Sequence, residues 1–261
     1  MSSLVALMLA CTPQEPEDVR GTAPGEPTDP TPITTDSGVA VICTDGPAFP
    51  DAWAGALDPA QVTSTPYDFD AGIGAILSAA PDSGSADISI EVTGAVVANF
   101  TEYGGEIDQL WLADSGGGLQ TYGVDINLTA SDIAPGDTVS FTATEITTYY
   151  DLPELTGLTG LTVTTKGGAV YVIDGNTTTI TVAAHLNQNL RGFGELVSAP
   201  ESCGGSAVCA DFSFGENTLA LRFSEGLGLE EGDCVDVLAP LAIYSYAPQL
   251  NIDNNDWVSV Y

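Results

Sequence analysis

The chain has 261 residues, which is enough for one large domain or for two small domains of about 100 residues each. Its 4 lysine and arginine residues oppose 36 acidic residues, and the formal net charge is −32. Such a surface repels phosphate backbones and anionic lipid headgroups, so the composition predicts that nucleic acid is an unlikely partner.

Seven apolar residues, 4–10, directly precede Cys11. This run resembles the end of a bacterial lipoprotein signal peptide, and in that family the cysteine is acylated and becomes the new N-terminus. The resemblance implies that residues 1–11 are a truncated signal peptide with its lipobox. It also implies that Cys11 anchors the protein in the cell envelope, at the outer membrane or the cell surface, and that this lipid is its only contact with a membrane. The alternative is an ordinary terminus with a chance cysteine.

Residues 12–37 contain six prolines, many threonines and acidic residues, and only two branched aliphatic residues, Val19 and Ile33. A segment of this composition does not bury enough apolar surface to fold, so we expect a disordered, extended tether. Further along, residues 71–80 predict a short helix that ends at Pro81.

The clearest strand pattern lies in residues 88–155. Apolar residues alternate with mostly polar ones over residues 88–98, which is the period of a half-buried strand, and Gly94 interrupts the row. A glycine at such a point is typical of a bulge that lets a long strand curl into a small barrel. Residues 110–124 predict a hairpin with a glycine-rich tip, and a Gly136-Asp137 turn precedes the next strand.

The same order of features recurs about one hundred residues later. Four pairs correspond: Gly94 with Gly194, Ala113-Asp114 with Ala210-Asp211, Gly136-Asp137 with Gly232-Asp233, and Pro153 and Leu155 with Pro248 and Leu250. Because the order is kept while the offset drifts slightly, we interpret the pattern as a tandem duplication. The alternative is one larger β-sandwich with coincidental turn signals.

These features together resemble the OB-fold domains of secreted bacterial proteins, which often accompany extracellular nucleases. The resemblance implies an all-β fold in which two tandem OB-like small barrels follow the tether. The first domain would be residues 38–175, including an N-terminal extension, and the second residues 176–261. In OB-folds, aromatic residues around strands two and three stack on ligands, which gives the ligand-binding candidates Trp111, Tyr122, Tyr149, Tyr150, Phe212, Tyr244 and Tyr246.

Apart from Cys11 there are four cysteines, Cys43, Cys203, Cys209 and Cys234, and three pairings are possible. The glycines between Cys203 and Cys209 allow the chain to fold back on itself. We therefore favour a Cys203–Cys209 disulfide, which leaves Cys43 with Cys234. A four-cysteine zinc site is the alternative, although such sites normally contain closely spaced pairs.

The sequence offers little that indicates catalysis. His185 is the only histidine, and no nucleophile, phosphate-binding or zinc-protease motif accompanies it. We therefore predict no catalytic residue, no cofactor and no metal. Asp253 and Asp256, in an Asn- and Asp-rich run, are weak calcium candidates, and an Asx-rich turn is the alternative.

The sequence thus predicts a non-enzymatic, surface-anchored lipoprotein whose barrels bind a protein or glycan, or act as a structural module. The alternative function is an accessory nucleic-acid-binding module of an extracellular nuclease system. A hydrolase that uses a pair of its many carboxylates is a third hypothesis.

Overall fold

The computed structural model describes residues 43, 46, 57–204, 207–252 and 257–261. The predictions for the signal peptide, its Cys11 and the tether lie outside the described residues. A short 3-10 helix, Pro59–Gln61, and strand β1, Val62–Thr63, come before helix α1, Ile73–Ala79. This helix confirms the prediction for residues 71–80.

Helix α1 packs through an apolar face in which Ile73 and Ile76 are fully buried. Its first turn is held by Asp114, because one carboxylate oxygen accepts the backbone N–H groups of Ala71, Gly72 and Ile73 at 2.8 to 3.0 Å. The unpaired N–H groups at the start of a helix require such an acceptor. Asp114 is buried, and it thus attaches the helix to the strand that contains this aspartate.

Five strands form the first barrel: β2 (Gly84–Tyr103), β3 (Glu106–Asp114), β4 (Gly117–Thr121), β5 (Thr138–Tyr149) and β6 (Leu152–Thr165). They close in the order β2-β3-β4-β6-β5, and β5 pairs with β2. The pairing of β4 with β6 is parallel, and the others are antiparallel. This is the five-stranded Greek-key order of an OB-fold.

The remaining elements are β7 (Val170–Tyr171), β8 (Ile173–Asp174), α2 (Val182–His185), β9 (Asn189–Leu196), β10 (Glu201–Gly204), β11 (Ala207–Phe214), β12 (Asn217–Ser224), a 3-10 helix (Glu225–Leu227), β13 (Cys234–Tyr244), β14 (Ala247–Asn251) and β15 (Val258–Val260). Strands β9, β11, β12, β14 and β13 repeat the order of the first barrel, with β9 pairing to both β11 and β13. Again the third and fifth strands pair in parallel. The predicted all-β fold of two tandem OB-like barrels is therefore confirmed.

Equivalent turns of the two barrels have the same backbone geometry. Gly136 and Gly232 have φ of 87° and 93°, and their N–H groups donate to the carbonyls of Val97 and Leu196 at 2.8 Å. The β5–β6 and β13–β14 hairpins each turn on two residues of positive φ, at 49° and 67° in the first and at 49° and 69° in the second. The predicted Gly-Asp and Pro/Leu correspondences thus hold.

The other two predicted correspondences are wrong in register. Val97 pairs with Leu112 in the first barrel, and the equivalent Leu196 pairs with Phe212 in the second. Ala113-Asp114 therefore corresponds to residues 213–214 and not to Ala210-Asp211. Gly94 lies at a bulge of β2 with φ of 78°, as predicted. Gly194, however, is equivalent to residue 95, and a Cβ there would lie 1.9 Å from a carbonyl oxygen of β11.

Each barrel has its own apolar interior, and the second interior extends into the first barrel. Ala98, Trp111 and Ala113 belong to the same buried cluster as the core residues of β9 and β11–β14. The Trp111 ring meets the Trp257 ring edge to face at 6.0 Å. Both barrels belong to one compact unit, Val41–Tyr261.

An additional layer covers the outer surface of the second barrel. Leu57, Val170 and Val172 pack against Leu238 of β13, and β8 pairs in parallel with β9. No helix among the described residues has the length and apolar character that crossing a lipid bilayer requires.

Candidate functional site

The two equivalent hairpin turns meet each other. The ring of Tyr150, in the β5–β6 turn, contacts the ring of Tyr246, in the β13–β14 turn, with centroids 5.0 Å apart and planes at 83°. Tyr149 packs on Tyr150 at 4.3 Å, and a hydrogen bond with the Tyr150 side chain raises the pKa of Tyr149. Both turns therefore contribute tyrosines to a single surface.

Beside these turns lies a groove of about 540 Å³, which falls in the size range of ligand sites. We call it the tyrosine groove, and its aromatic lining consists of Trp111, Tyr122, Tyr149, Tyr150 and Tyr244. The lining tyrosines are 41% to 60% exposed, so part of each side chain is accessible to a ligand. Tyr246, which is 66% exposed, extends this surface through its contact with Tyr150.

The tyrosine groove lies on the face that OB-folds use for binding. Its lining includes Trp111 of β3 and Gln120 of β4, the second and third strands of the first barrel, and the turn between the fourth and fifth strands. OB-folds bind oligonucleotides and oligosaccharides on this face and at this turn. The second barrel contributes a wall through β12, β13 and β14.

The polar part of the lining is rich in amides: Gln109, Gln120, Gln249 and Asn251. Gln120 Nε2 donates to Glu154 Oε1 at 2.8 Å. Burial raises the pKa of Glu154, and the hydrogen bond from Gln120 opposes the shift. Glu154 and Gln249 occupy equivalent positions, since each faces the parallel third strand of its own barrel.

Arg222 of β12 is the cationic residue of the lining. Its guanidinium carbon lies 4.8 Å from the centroid of the Tyr244 ring, a cation–π geometry. Nη1 donates to the Cys203 carbonyl and Nη2 to the Gly204 carbonyl, both at 3.1 Å. Trp111 also lines the groove, and its buried indole N–H has no acceptor among the described residues.

Six of the seven predicted aromatic candidates lie in or beside the groove, and Phe212 is the exception. It is fully buried and stacks on Phe214 with centroids 4.8 Å apart, so it belongs to the core of the second barrel and not to a binding face. The prediction missed the groove residues Gln120, Glu154 and Arg222. Only Arg222 carried a signal, since it is one of four basic residues in the chain.

Both predicted disulfides, Cys43–Cys234 and Cys203–Cys209, are present, and they take up all four cysteines of the zinc alternative. The weak calcium candidates Asp253 and Asp256 lie outside the described residues. Within the part of the chain that is described, no group of three or more histidine, cysteine or acidic side chains is placed to hold a metal. His185 Nδ1 accepts the backbone N–H of Thr181 at 3.0 Å, which is a local structural role.

No protein-family model matches the chain, and no curated protein matches its sequence. Among solved structures, it is similar to the tetrameric p202 HIN2 domain at 10% identity, with a TM-score of 0.33, over 69% of this chain and 96% of that one. The Ifi202 HINa domain in complex with 20bp dsDNA is similar at 11% identity, with a TM-score of 0.32, over 68% and 98%. HIN domains have an OB-fold.

A ZRD-deleted mutant of TiaS in complex with agmatine is also similar, at 12% identity and a TM-score of 0.25. That match covers 38% of this chain, which spans only 29% of the TiaS chain. At these identities the likenesses concern the fold alone.

The prediction that nucleic acid is an unlikely partner is wrong. It rested on net charge, whereas the Ifi202 HINa domain, a similar OB-fold structure, is in complex with dsDNA. Net charge is also a poor guide to this groove in particular. Its charged lining consists of one guanidinium, Arg222, and one carboxylate, Glu154, whose pKa is raised by burial.

Proposed function

We propose that this protein is a non-enzymatic binding module and that its tyrosine groove binds a single strand of nucleic acid. One observation carries the proposal: two equivalent turns bring exposed tyrosines together on the face where OB-folds bind oligonucleotides. Each stacked base contributes about 1–3 kcal/mol, and stacking tolerates any sequence because every base has a π face. In this role the protein would accompany a nuclease that lies on another chain.

The acidic surface gives this binding an unusual dependence on salt. For single strands, the logarithm of affinity falls with the logarithm of salt concentration by about 0.7 for each phosphate contact, and the groove supplies one cation, Arg222. Repulsion from a net charge of −32 weakens as salt is added, since the Debye length shortens. We therefore expect an affinity that is nearly independent of salt or increases with it.

The test is fluorescence anisotropy with a labelled ten-nucleotide oligothymidylate across a salt series. Tyr122→Ala and Tyr149→Ala each remove a ring from the groove and should weaken binding by about 5- to 150-fold. Tyr103→Ala is the matched control, because Tyr103 is 84% exposed on β2 and does not line the groove. Equal affinity in all three variants, or a steep loss of binding with added salt, would reject binding in this groove.

A neutral glycan is the second candidate ligand. The amide-rich lining favours it, because amide side chains donate and accept hydrogen bonds as sugar hydroxyls require. Aromatic rings stack on sugars as they do on bases. Titration with a neutral β-glucan hexasaccharide, followed by intrinsic tyrosine fluorescence, separates the candidates. Binding of the hexasaccharide without binding of the oligonucleotide would replace the first proposal.

We further propose that Cys11 carries a lipid, that residues 12–37 tether the barrels to it, and that the protein resides in the cell envelope. The motivation is the apolar run before Cys11 and the proline-rich composition that follows. The chain should incorporate labelled palmitate when it is expressed behind a complete lipoprotein signal peptide. The proposal fails if no label is incorporated, or if Cys11→Ser is labelled equally well.

A further inference from the structure

Arg222 is held at the wall of the groove by the Cys203–Cys209 hairpin, by which we mean residues 203–204 and 207–209, joined by the disulfide. Besides the carbonyl contacts of Cys203 and Gly204, Nη1 lies 3.4 Å from Cys203 Sγ. The hairpin also packs on Tyr244, the ring that Arg222 contacts, because a Cβ on Gly204 would lie 3.0 Å from the Tyr244 hydroxyl. The disulfide, the guanidinium and the Tyr244 ring therefore form one packed unit.

The charge of Arg222 has no acidic partner among the residues that the structure describes. Among the described residues it forms no ion pair with a carboxylate, although the chain has 36 acidic residues and the other described ion pairs use Lys166 and Arg191. Its hydrogen-bond acceptors are carbonyl oxygens and a sulfur, which carry no net charge. A half-buried cation without a counter-charge, at the wall of a groove, attracts an anion from outside the protein.

The guanidinium also has donors to spare. An arginine side chain has five N–H donors, and the three contacts with the hairpin use at most three of them, which leaves at least two. Two N–H donors on one planar guanidinium match two oxygens of a phosphate. The carbonyl contacts fix the plane of the guanidinium, so these donors are held in place before a ligand arrives.

We propose that Arg222 is the phosphate-binding residue of the tyrosine groove and that the Cys203–Cys209 hairpin positions it. This inference rests on the proposed nucleic-acid function. One backbone phosphate binds the free donors of Arg222, and this contact fixes the position of the strand along the groove while its bases stack on the tyrosines. Arg222 supplies the one contact that distinguishes the charged backbone of a nucleic acid from a neutral glycan.

The first test uses inorganic phosphate, which needs no base stacking. Phosphate should shift the NMR signal of the Arg222 Nε–H group in the wild-type protein. Arg222→Gln removes the signal itself, so the Tyr244 ring signals serve as a second reporter and should stop responding to phosphate in that variant. A Tyr244 response that is unchanged in Arg222→Gln, or no shift at Arg222 in the wild type, overturns the phosphate site.

The second test compares a ten-nucleotide oligothymidylate with its methylphosphonate analogue, whose backbone is uncharged. Arg222→Gln should weaken binding of the phosphodiester by about 10-fold and leave binding of the analogue unchanged. Lys166→Gln is the control for loss of one charge, because Lys166 is 61% exposed, pairs with Asp137 and does not line the groove. Equal losses in the two variants would mean that only net charge matters, which overturns the inference.

The role of the hairpin is tested with the double variant Cys203→Ser/Cys209→Ser. A positioning role predicts weaker binding of the phosphodiester with no change for the methylphosphonate strand, whereas general damage to the fold weakens both. A loss that is equal for both strands overturns the positioning role.

The two proposals fail in distinguishable ways. A phosphate response at Arg222 without oligonucleotide binding supports the anion site and overturns the nucleic-acid function. Oligonucleotide binding that is the same in wild type and Arg222→Gln leaves that function standing and overturns the anion site. Binding of an oligogalacturonate in place of the oligonucleotide would assign the site to a carboxylate of an acidic glycan, and the phosphate inference would then be overturned.

Discussion

Strands β5 and β13 occupy the same position in the two barrels, but they are buried differently. β5 alternates between buried and partly exposed residues along most of its length, as expected when one face packs on the core and the other meets water. Ten consecutive residues of β13 are buried, and the added layer packs on its outer face at Leu238. At the same position of the fold, the outward residues of β5 are therefore partly exposed to water, whereas those of β13 are buried and must be apolar or paired.

The outward positions of the second barrel show the consequence. Asp236 of β13 and Arg191 of β9 are both buried, and they form a bidentate pair with N–O distances of 2.8 and 2.9 Å. Burial raises the pKa of Asp236, and Arg191 opposes that shift. The position equivalent to Asp236 on β5 is Ser140, a residue with no charge to satisfy. Covering a barrel on its outside thus requires its buried charges to be paired.

The largest effect should come from breaking the disulfide that joins Cys43 to Cys234 of the second barrel. The Cys43–Cys234 disulfide spans a sequence separation of 191, whereas Cys203–Cys209 spans 6. Chain entropy then predicts that Cys43→Ser/Cys234→Ser lowers the free energy of unfolding by about 5 kcal/mol and Cys203→Ser/Cys209→Ser by about 2 kcal/mol. Urea denaturation of both double variants measures the difference, and an equal loss in the two would contradict this account.

Breaking the buried ion pair should have the next largest effect. Arg191→Met leaves the Asp236 carboxylate buried without its partner and should lower stability by about 3–5 kcal/mol. Replacing both residues, Arg191→Met/Asp236→Leu, should recover most of that loss, because an apolar pair needs no desolvation of charge. Thr142→Leu on β5 is the control at an outward position of the first barrel and should change stability by about 0.5 kcal/mol or less. If the double variant is no more stable than Arg191→Met, the explanation is wrong.

Local sequence signals predicted those parts of the fold that depend on local geometry. Gly136 and Gly232 were identified because a turn of positive φ favours glycine, and the strand over residues 88–98 was identified by its period of two. The register of the second hairpin was not, because the match of Ala113-Asp114 to Ala210-Asp211 rested on residue type alone, and only the pairing of β11 with β9 fixes the register. Phe212 was misplaced because it lies on the buried face of β11, together with Ala210 and Phe214.

The candidate site was predicted through its aromatic residues, several of which lie at the two equivalent turns, and not through its polar groups. Arg222 lines the groove because a hairpin about twenty residues earlier in the chain holds it, and Glu154 is paired with Gln120 of β4, which lies far from it in the sequence. Such contacts between distant residues leave no periodic trace in the sequence. The residues that cover β13 at Leu238 were likewise not predicted, since they come from before and between the barrels.

The two equivalent glycines provide a smaller test of the comparison. Both have positive φ, but a Cβ on Gly136 would lie 2.2 Å from the carbonyl oxygen of Gly168, whereas a Cβ on Gly232 would meet nothing within 4 Å. Gly232→Ala should therefore cost about 1 kcal/mol for the backbone conformation alone, and Gly136→Ala about 3 kcal/mol. Thermal unfolding of the two variants decides the matter. A Gly232→Ala variant at least as damaging as Gly136→Ala would mean that the tighter packing of the first turn is unimportant.

The smallest effect concerns Glu154 and Gln249, which occupy equivalent positions of the two barrels in the same groove. Burial raises the pKa of Glu154 above its ordinary value of 4.5, so its charged form is less favourable in the folded protein than in the unfolded chain. Its contribution to stability is therefore greatest below pH 4.5 and decreases as the pH rises from 4.5 through the raised pKa of the folded state.

Glu154→Gln removes that dependence while keeping an oxygen that accepts the hydrogen bond from Gln120. The variant should consequently melt at a higher temperature than wild type at pH 7 and lose this advantage at pH 4. Gln249→Glu should do the reverse, since it places a carboxylate at the equivalent buried position of the second barrel. Thermal unfolding of the three proteins at both pH values makes the comparison. A Glu154→Gln variant that is less stable than wild type at pH 7 would show that the ionised carboxylate stabilises the groove, contrary to the direction of its pKa shift.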